Sequence, residues 1–492
     1  MSKLSRRDFM KSSMVAGAAI ALASPYSKVR GANSDIRMAV VGVGGQGGNH
    51  MKYFGESCKG ARLVAICDAD RSHVENRAAD FEKKNGVKLK TYTDARELLE
   101  DKSIDAITSA TPNFWHSLLT IWACQAGKDV YIEKPVSHNV WEGRKMVEAA
   151  RKYDRIVQTG TQKRSDQGLI EAFKYMQDGN LGAIKWSRGF CYKARFEGTN
   201  GIVNGTNGPN PVPESVDYNL WCGPADMEPL RRKQLHYKWH WVWNTGNGDL
   251  GNQGIHEMDL ARWGLGDPAE LAPRVMSIGG RFRVADAGET PNTQIVYLGY
   301  KPAPLIFEVR GLPRKKGDKA MDYYRKATQI GICVQCEDGY FVGGGGGGWI
   351  WDNSGKRTDK QFKGEGGGSH HQNFIDAVRS RKAGDLNADI EKGHFSSALC
   401  HMGNVSYRLG KKMSVSEIKG AIGDNAELMD SFERMLEHLK VNEVDLDKEP
   451  ITCGPMLTMD PRKERFVGEY SEMANMYLKR NYREPFVVPE KV

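Results

Sequence analysis

Apolar, β-prone residues run together from Ile36 to Val41 and again from Ala61 to Cys67, with a helix-compatible segment starting at Asn49 between them. This pattern predicts strand, helix, strand. The alternation continues with a strand over 104–110, a helix over 117–126 ended by Gly127, a strand from Asp129 to Ile132 and another over 156–160. Strands alternating with helices form a parallel sheet, and ligands of such sheets lie beyond the strands' carboxyl ends. Farther along, the latter part of 248–263 reads as a helix, and an amphipathic helix opens at His370, His371 and Asn373 with Phe374, Ile375 and Val378 turned inward. A further helix is expected over 391–409, and helical periodicity returns over 426–439. Trp239, Trp241 and Trp243 alternate at period two, which on an extended chain puts them on one face. Such a face suits either the C–H surface of a sugar or packing against helices or another subunit. The glycine runs at 343–348 and 364–368 read as flexible loops flanking a short hairpin-like segment.

With 492 residues, the chain is long enough for two or three domains. Hydrophobic residues at 40% and charged residues at 27% exclude a disordered or coiled-coil protein. The net charge of +9 is scattered and builds no basic block, so nucleic acid is not an expected partner. Nine cysteines without regular spacing predict mostly buried thiols. Cys333 and Cys336 have the spacing of a zinc half-site but no second pair, and no metal is expected. At the N-terminus, Arg6, Arg7, Phe9 and Lys11 precede a short apolar run ending in Ala21-Leu22-Ala23. This resembles a twin-arginine signal peptide, so residues 1–33 are expected to be a signal and linker, with cleavage near Ala23 and the mature protein periplasmic or otherwise exported. No later stretch has 18 consecutive apolar residues, so no stable membrane span is expected.

The first strand ends in Gly42-Val43-Gly44-Gly45-Gln46-Gly47, spaced G-x-G-x-x-G. Glycines at 42, 44 and 47 permit a tight turn and bring backbone N–H groups to a pyrophosphate at a helix N-terminus. Asp68, at the end of the second strand, stands where a carboxylate hydrogen-bonds an adenosine ribose, which favours NAD over NADP. Arg71 blurs that preference, since an arginine there could meet a 2′-phosphate. The parallel sheet also brings Thr111-Pro112-Asn113 and Glu133-Lys134-Pro135 to the cofactor edge. Transfer of hydride from a hydroxyl-bearing carbon also requires a base for the hydroxyl proton. Lys134, desolvated near a cationic ring, is a candidate because both effects lower an amine's pKa.

The run Thr111-Pro112-Asn113-Phe114-Trp115-His116, followed by Ala126-Gly127-Lys128-Asp129-Val130-Tyr131-Ile132-Glu133-Lys134-Pro135, resembles the Gfo/Idh/MocA oxidoreductases. The resemblance covers about 34–412. It implies a Rossmann NAD(P)-binding domain over 34–160 and an α+β domain with an open, mainly antiparallel sheet over 161–412, leaving 413–492 as a helical C-terminal extension. It also implies that Lys134 is catalytic, that Pro135 turns the backbone, often as a cis bond, and that His256 opens a helix and points at the oxidised carbon. Cofactor contacts are expected from Gln46, His116 and Glu133 besides the residues above, with Gln162, Lys163 and Arg164 lining the nicotinamide side. Inositol-dehydrogenase-like members carry an aspartate four residues before the histidine, where this chain has Asn252, an amide that cannot act as a base. Asp249 or Asp259 could supply the missing carboxylate, although Asp259 could equally be a structural partner. Asn252, Asp249, Asp259, Trp241 and Trp243 are the expected substrate-side residues.

The expected reaction is hydride exchange between a sugar, glycoside or polyol carbinol, C3 being one candidate, and a tightly bound nicotinamide cofactor. Outside the cytoplasm no free nicotinamide pool is expected, so the cofactor would be regenerated in place. The alternatives are a cofactor-assisted glycosidase or epimerase and a non-catalytic sugar or dinucleotide sensor. Resembling enzymes usually build dimers or tetramers through the second sheet, so a homo-oligomer is expected.

Overall fold

The computed structural model describes residues 34–205, 208–325 and 328–492. The expected signal peptide lies outside the described residues. Six strands, β1 (Ile36–Val41), β2 (Ala61–Cys67), β3 (Lys90–Tyr92), β4 (Ala106–Ser109), β5 (Asp129–Ile132) and β6 (Val157–Thr159), form a wholly parallel sheet in the order β3-β2-β1-β4-β5-β6. Helices α1 (Gly45–Lys52), α2 (Arg71–Asn85), α3 (Asn113–Gln125) and α4 (Val140–Lys152) accompany it. Both faces of the sheet are buried, one under Leu118, Leu119 and Met146, the other under Phe54, Val74 and Phe374. The strands are accordingly apolar throughout rather than alternating. Asp70 caps α2 by accepting from the Ser72 N–H. Helix α3 begins four residues earlier than the sequence pattern predicts, because Pro112 serves as its N-cap and Asn113 to His116 are already helical.

The second domain is a large mixed sheet. Strands β7 (Ile184–Tyr192), β8 (Arg274–Gly280), β9 (Thr293–Leu298), β10 (Leu305–Arg310), β11 (Ile330–Cys336), β12 (Tyr340–Gly344), β13 (Gly347–Trp351) and β14 (Arg357–Lys363) order as β14-β13-β12-β11-β7-β10-β9-β8. All neighbours are antiparallel except β7 and β10. Helix α5 (Gly254–Gly264) lies close on β7, because Gly189 has no side chain where a Cβ would stand 3.0 Å from the Glu257 carbonyl. The first glycine run is not a flexible loop. Gly343 and Gly344 end β12, Gly347 and Gly348 begin β13, and the run is the turn of a hairpin in which both strands leave no room for side chains. Eight of the nine cysteines are buried and Cys58 is half-buried, with no disulfide.

Helix α6 (His370–Ser380) then covers one face of the first sheet, α7 (Ile390–Arg408) packs between the two domains, and α8 (Val415–Ile422) and α9 (Ala426–Val441) cover the outer face of the second sheet. Phe432, Met435 and Leu439 of α9 are buried against Phe190, Ile278 and Ile306. Glu308 on β10 ties this cover down by accepting from Arg188 and Arg434. The last eighty residues are only partly helical. They add strands at 452–453, 457–460 and 465–467, and end with Phe486 and Val488 in the core of the first domain.

Candidate functional site

A cleft of about 680 Å³ opens at the carboxyl ends of β1, β2, β4 and β5. Its floor is the glycine turn. Gly42 takes φ +79°, and a Cβ there would stand 2.7 Å from the Thr111 nitrogen, so the turn can lie against β4 only with glycine. Gly47 does not line the cleft; a Cβ on it would stand 1.8 Å from the Gly42 carbonyl oxygen, which explains its place in the motif as close packing of α1 on the turn. Arg77 braces the turn by donating to the Val43 and Gly44 carbonyls. Gly42→Ala is expected to reduce bound dinucleotide at least about tenfold, since left-handed strain alone costs about 1–2 kcal/mol before the backbone clash is relieved. Dinucleotide released per chain on denaturation measures it.

Asp68 lines the cleft and accepts from the Val43 N–H at 2.9 Å and the Asp70 N–H at 3.0 Å. A carboxylate has lone pairs left for a ribose hydroxyl. Arg71 does not face the cleft. Its guanidinium donates to the Glu214 carbonyl, so the arginine expected to blur the cofactor preference is directed elsewhere. Thr111 lines the cleft, and His116 lies with Nδ1 2.7 Å from the Pro135 carbonyl and Nε2 2.9 Å from that of Thr111. Burial lowers the His116 pKa to about 4, so the ring is neutral and one of its nitrogens donates. Asn113 is buried away from the cleft and donates to the Asn247 side chain at 2.5 Å.

Beyond the turn, Glu133 takes hydrogen bonds from Gln46 at 3.2 Å and from the Lys134 N–H at 3.2 Å, and its Oε1 lies 3.1 Å from His50 Nε2. Burial would raise its pKa, but the His50 contact and the Lys134 charge hold it well below the carboxylate range. Lys134 follows, joined to Pro135 by a cis bond, and its Nζ donates to the Asn252 carbonyl at 3.1 Å. Burial lowers its pKa, helped by Lys193 and Lys163 and opposed by Glu133 and Glu257. His256, 9% exposed, comes from α5 on the second domain and lines the same cleft, with Nδ1 buried and without a protein partner. Burial and then the Lys134 charge push its pKa well down, so it is a neutral ring. Gln162 and Asn252 complete this end.

Five further expected residues belong elsewhere. Arg164 is buried between Asp259 and Asp267, donating to both at 2.9 Å, and neither Arg164 nor Asp259 lines the cleft. Asp259 is therefore a structural partner rather than a proton relay. Asp249 is likewise consumed, accepting from Arg195 at 2.7–2.9 Å and from the Trp241 indole at 3.3 Å. Trp241 is fully buried in that knot and offers no platform. The tryptophans do not share a face, because residues Lys238–Trp241 form a 3₁₀ turn instead of a strand. Trp243 lies in a second cleft near Tyr407 and Arg408. Of these three tryptophans, Trp239 lines the cofactor cleft, stacked on His240 with ring centroids 3.6 Å apart. Sequence reasoning missed His50, Arg77, Lys193 and His240. His50 stands four residues after Gln46 and so shares its helix face, which was a legible signal. His240 was not separable from its aromatic neighbours by spacing.

The parallel sheet in this strand order, its glycine turn, and a cleft shared with a mixed second sheet define a two-domain dinucleotide-binding protein. A family model described as oxidoreductase family, NAD-binding Rossmann fold, matches residues 36–161, its C-terminal alpha/beta domain matches 178–298, and a twin-arginine translocation signal model matches 3–23. The chain belongs to the Gfo/Idh/MocA oxidoreductase family. It is 33% identical to the myo-inositol 2-dehydrogenase of Thermotoga maritima over 55% of this chain and 66% of that one. It is 28% identical to the inositol 2-dehydrogenase of Salmonella paratyphi B over 32% of this chain and 46% of that one. The chain thus spans about half the length of such curated relatives. An oxidoreductase from Agrobacterium radiobacter, solved with NAD+, L-tartaric acid and magnesium, superposes with a TM-score of 0.55 at 17% identity, over 75% of this chain and 95% of that one, a likeness of fold alone. Among the described residues no helix is long and apolar enough to cross a membrane.

Proposed function

We propose that the protein is an exported oxidoreductase that removes or returns hydride at a carbinol carbon of a sugar, glycoside or polyol. The observation that supports this most is that Lys134 from the first domain and His256 from the second line one cleft with the glycine turn. The cleft fits a nicotinamide dinucleotide, because Gly42 and Gly44 leave a cradle and His256 Nδ1 waits for a partner. Gly42, Gly44, Gln46 and Asp68 would hold the pyrophosphate and ribose, with Thr111, Glu133 and Gln162 toward the nicotinamide. When bound, the cofactor supplies the hydride acceptor. Lys134 takes the hydroxyl proton at Nζ, and His256 orients the hydroxyl. Asp68 with Arg71 turned away supports NAD as the partner.

A segment of the second domain over 212–240 forms the far wall of the cleft through Leu220, Trp221, Tyr237, Trp239 and His240. This cover supports a cofactor held through many turnovers, and with the signal sequence it supports action in the periplasm by a redox-neutral cycle. A homo-oligomer, proposed from the family, must use a surface other than the sheet face under α8 and α9. The test is to denature purified protein, identify the released dinucleotide, and incubate the native protein with a panel of glycosides and polyols while recording reduced-nicotinamide absorbance and altered glycoside. Bound cofactor with no change on any sugar would overturn the enzymatic reading in favour of a sensor.

Asn252→Asp tests the base. A carboxylate at this position in the cleft favours the charged amine of Lys134, so the Lys134 pKa rises. A base must be deprotonated, so the rising limb of the pH–rate profile is expected to move to higher pH by about one unit. Stopped-flow hydride transfer across pH measures it.

A further inference from the structure

At the N-cap of α2, beside the cofactor cleft, stands a group of side chains to which the proposed function gives no role. Asp70, His73 and His236 present one ligand atom each, all within 4.8 Å of one another. Asp70 Oδ2 lies 3.0 Å from His236 Nε2 and 3.8 Å from His73 Nε2. We propose that these three residues bind a first-row divalent cation of the zinc class and that the ion fastens the 212–240 segment over the cofactor cleft.

Each ligand is already oriented toward a common point. Asp70 spends Oδ1 on the Ser72 N–H and hydroxyl, which leaves Oδ2 for an ion. His73 Nδ1 lies 3.4 Å from Asp68 Oδ2, so a proton on Nδ1 is held there and the lone pair of Nε2 faces the other two ligands. A carboxylate behind a ligating imidazole is the common arrangement in metal sites, since it sets the tautomer and raises ligand basicity. Tetrahedral zinc with bonds of about 2.0–2.2 Å places ligand atoms roughly 3.3 Å apart, which these side chains reach with small rotations. The His73 and His236 side chains are 30% and 41% exposed while Asp70 is 6% exposed, so the carboxylate is sheltered and an ion can enter between the rings. Two imidazoles and one carboxylate leave a coordination position for water. The two negative carboxylates of Asp68 and Asp70 supply the opposing charge.

The site also joins two parts of the chain. Asp70 and His73 belong to the first domain, whereas His236 sits at the far end of the cleft cover. That cover is already tied to the first domain near its start, where Arg71 N–H donates to Ser215 and Asp217 N–H to Ala69. An ion at His236 adds a second fastening about twenty residues on, and both histidines line the cleft. An ion that fixes this wall of the cleft restrains a dinucleotide lying against it, so its release is expected to slow.

The test uses the full mature protein, stripped with a chelator. Zn²⁺ is titrated calorimetrically and Co²⁺ by visible absorption. Uptake of one ion per chain is expected, weakened about 100-fold or more by His73→Ala and by His236→Ala, with unchanged circular dichroism. Absence of stoichiometric uptake, or equal uptake by the doubly substituted chain, overturns the site. His236 is half-exposed, so its substitution separates loss of a ligand from loss of the fold. Dinucleotide release slowed at least about tenfold by Zn²⁺ in the wild type and not in His236→Ala supports the fastening; equal release with and without Zn²⁺ overturns it. The release arm rests on the cofactor reading, whereas ion uptake is measured without sugar turnover, so the two failures are told apart.

Discussion

Lys134→Ala is expected to lower hydride transfer by about 10²–10⁴-fold, the range for losing a positioned base, while the chain keeps its dinucleotide. The amine is the group in the cleft with both the position and the shifted pKa that proton abstraction needs. Its Nζ reaches across to the Asn252 carbonyl, and burial favours the neutral form. Cofactor retention follows because the turn at Gly42 and Gly44, the Asp68 carboxylate and the cover do not depend on the amine. Lys134→Arg sharpens the test. A guanidinium keeps the positive charge but cannot give up its proton at working pH, so it should be as slow as alanine. Single-turnover absorbance at the nicotinamide band, with dinucleotide content measured on the same samples, reads both effects. A lysine variant that turned over normally would remove the base from the mechanism.

Arg164→Ala is expected to destabilise the protein by about 3–5 kcal/mol, the effect of removing one partner from a buried ion pair. Asp259 and Asp267 both rely on this guanidinium, and Asp259 is 1% exposed. Burial alone would raise the Asp267 pKa, but Arg164 and then Arg262 hold it below the usual range. A carboxyl lowered on folding stabilises above its unfolded pKa of about 4 and loses that contribution as pH falls below it. The destabilisation should therefore be full near neutrality and shrink in acid. Denaturant unfolding at several pH values measures it, with dinucleotide per folded chain unchanged. Loss of cofactor without loss of stability would return Arg164 to the nicotinamide side.

The cofactor half of the site was legible because its chemistry is local. A strand, G-x-G-x-x-G, a helix and a second strand ending in Asp68 form one continuous unit, and the turn of the backbone dictates where each group stands. The substrate half was legible only at His256 and Asn252. Their neighbours Asp249 and Asp259 have the right type and spacing for a relay, yet whether a carboxylate is free depends on which cation folds against it. Arg195 and Arg164, 54 and 95 residues away, consume them. Tryptophans at period two point one way only if the backbone is extended, and at 238–241 it is a 3₁₀ turn that buries Trp241 and turns Trp239 into the cleft.

Residue order therefore settled the parallel sheet, the glycine turn and the place of Asp68 at the end of the second strand, since short-range backbone geometry and hydrophobic period encode them, whereas the pairing of Lys134 with His256 was legible only through the family resemblance. Packing settled which charges are spent and which remain. It brought His236 to Asp70 and His73, closed a cover over the cleft, and laid α8 and α9 across the second sheet. Those outcomes depend on contacts between segments tens to hundreds of residues apart, whose burial and ion pairing exist only once the chain has folded.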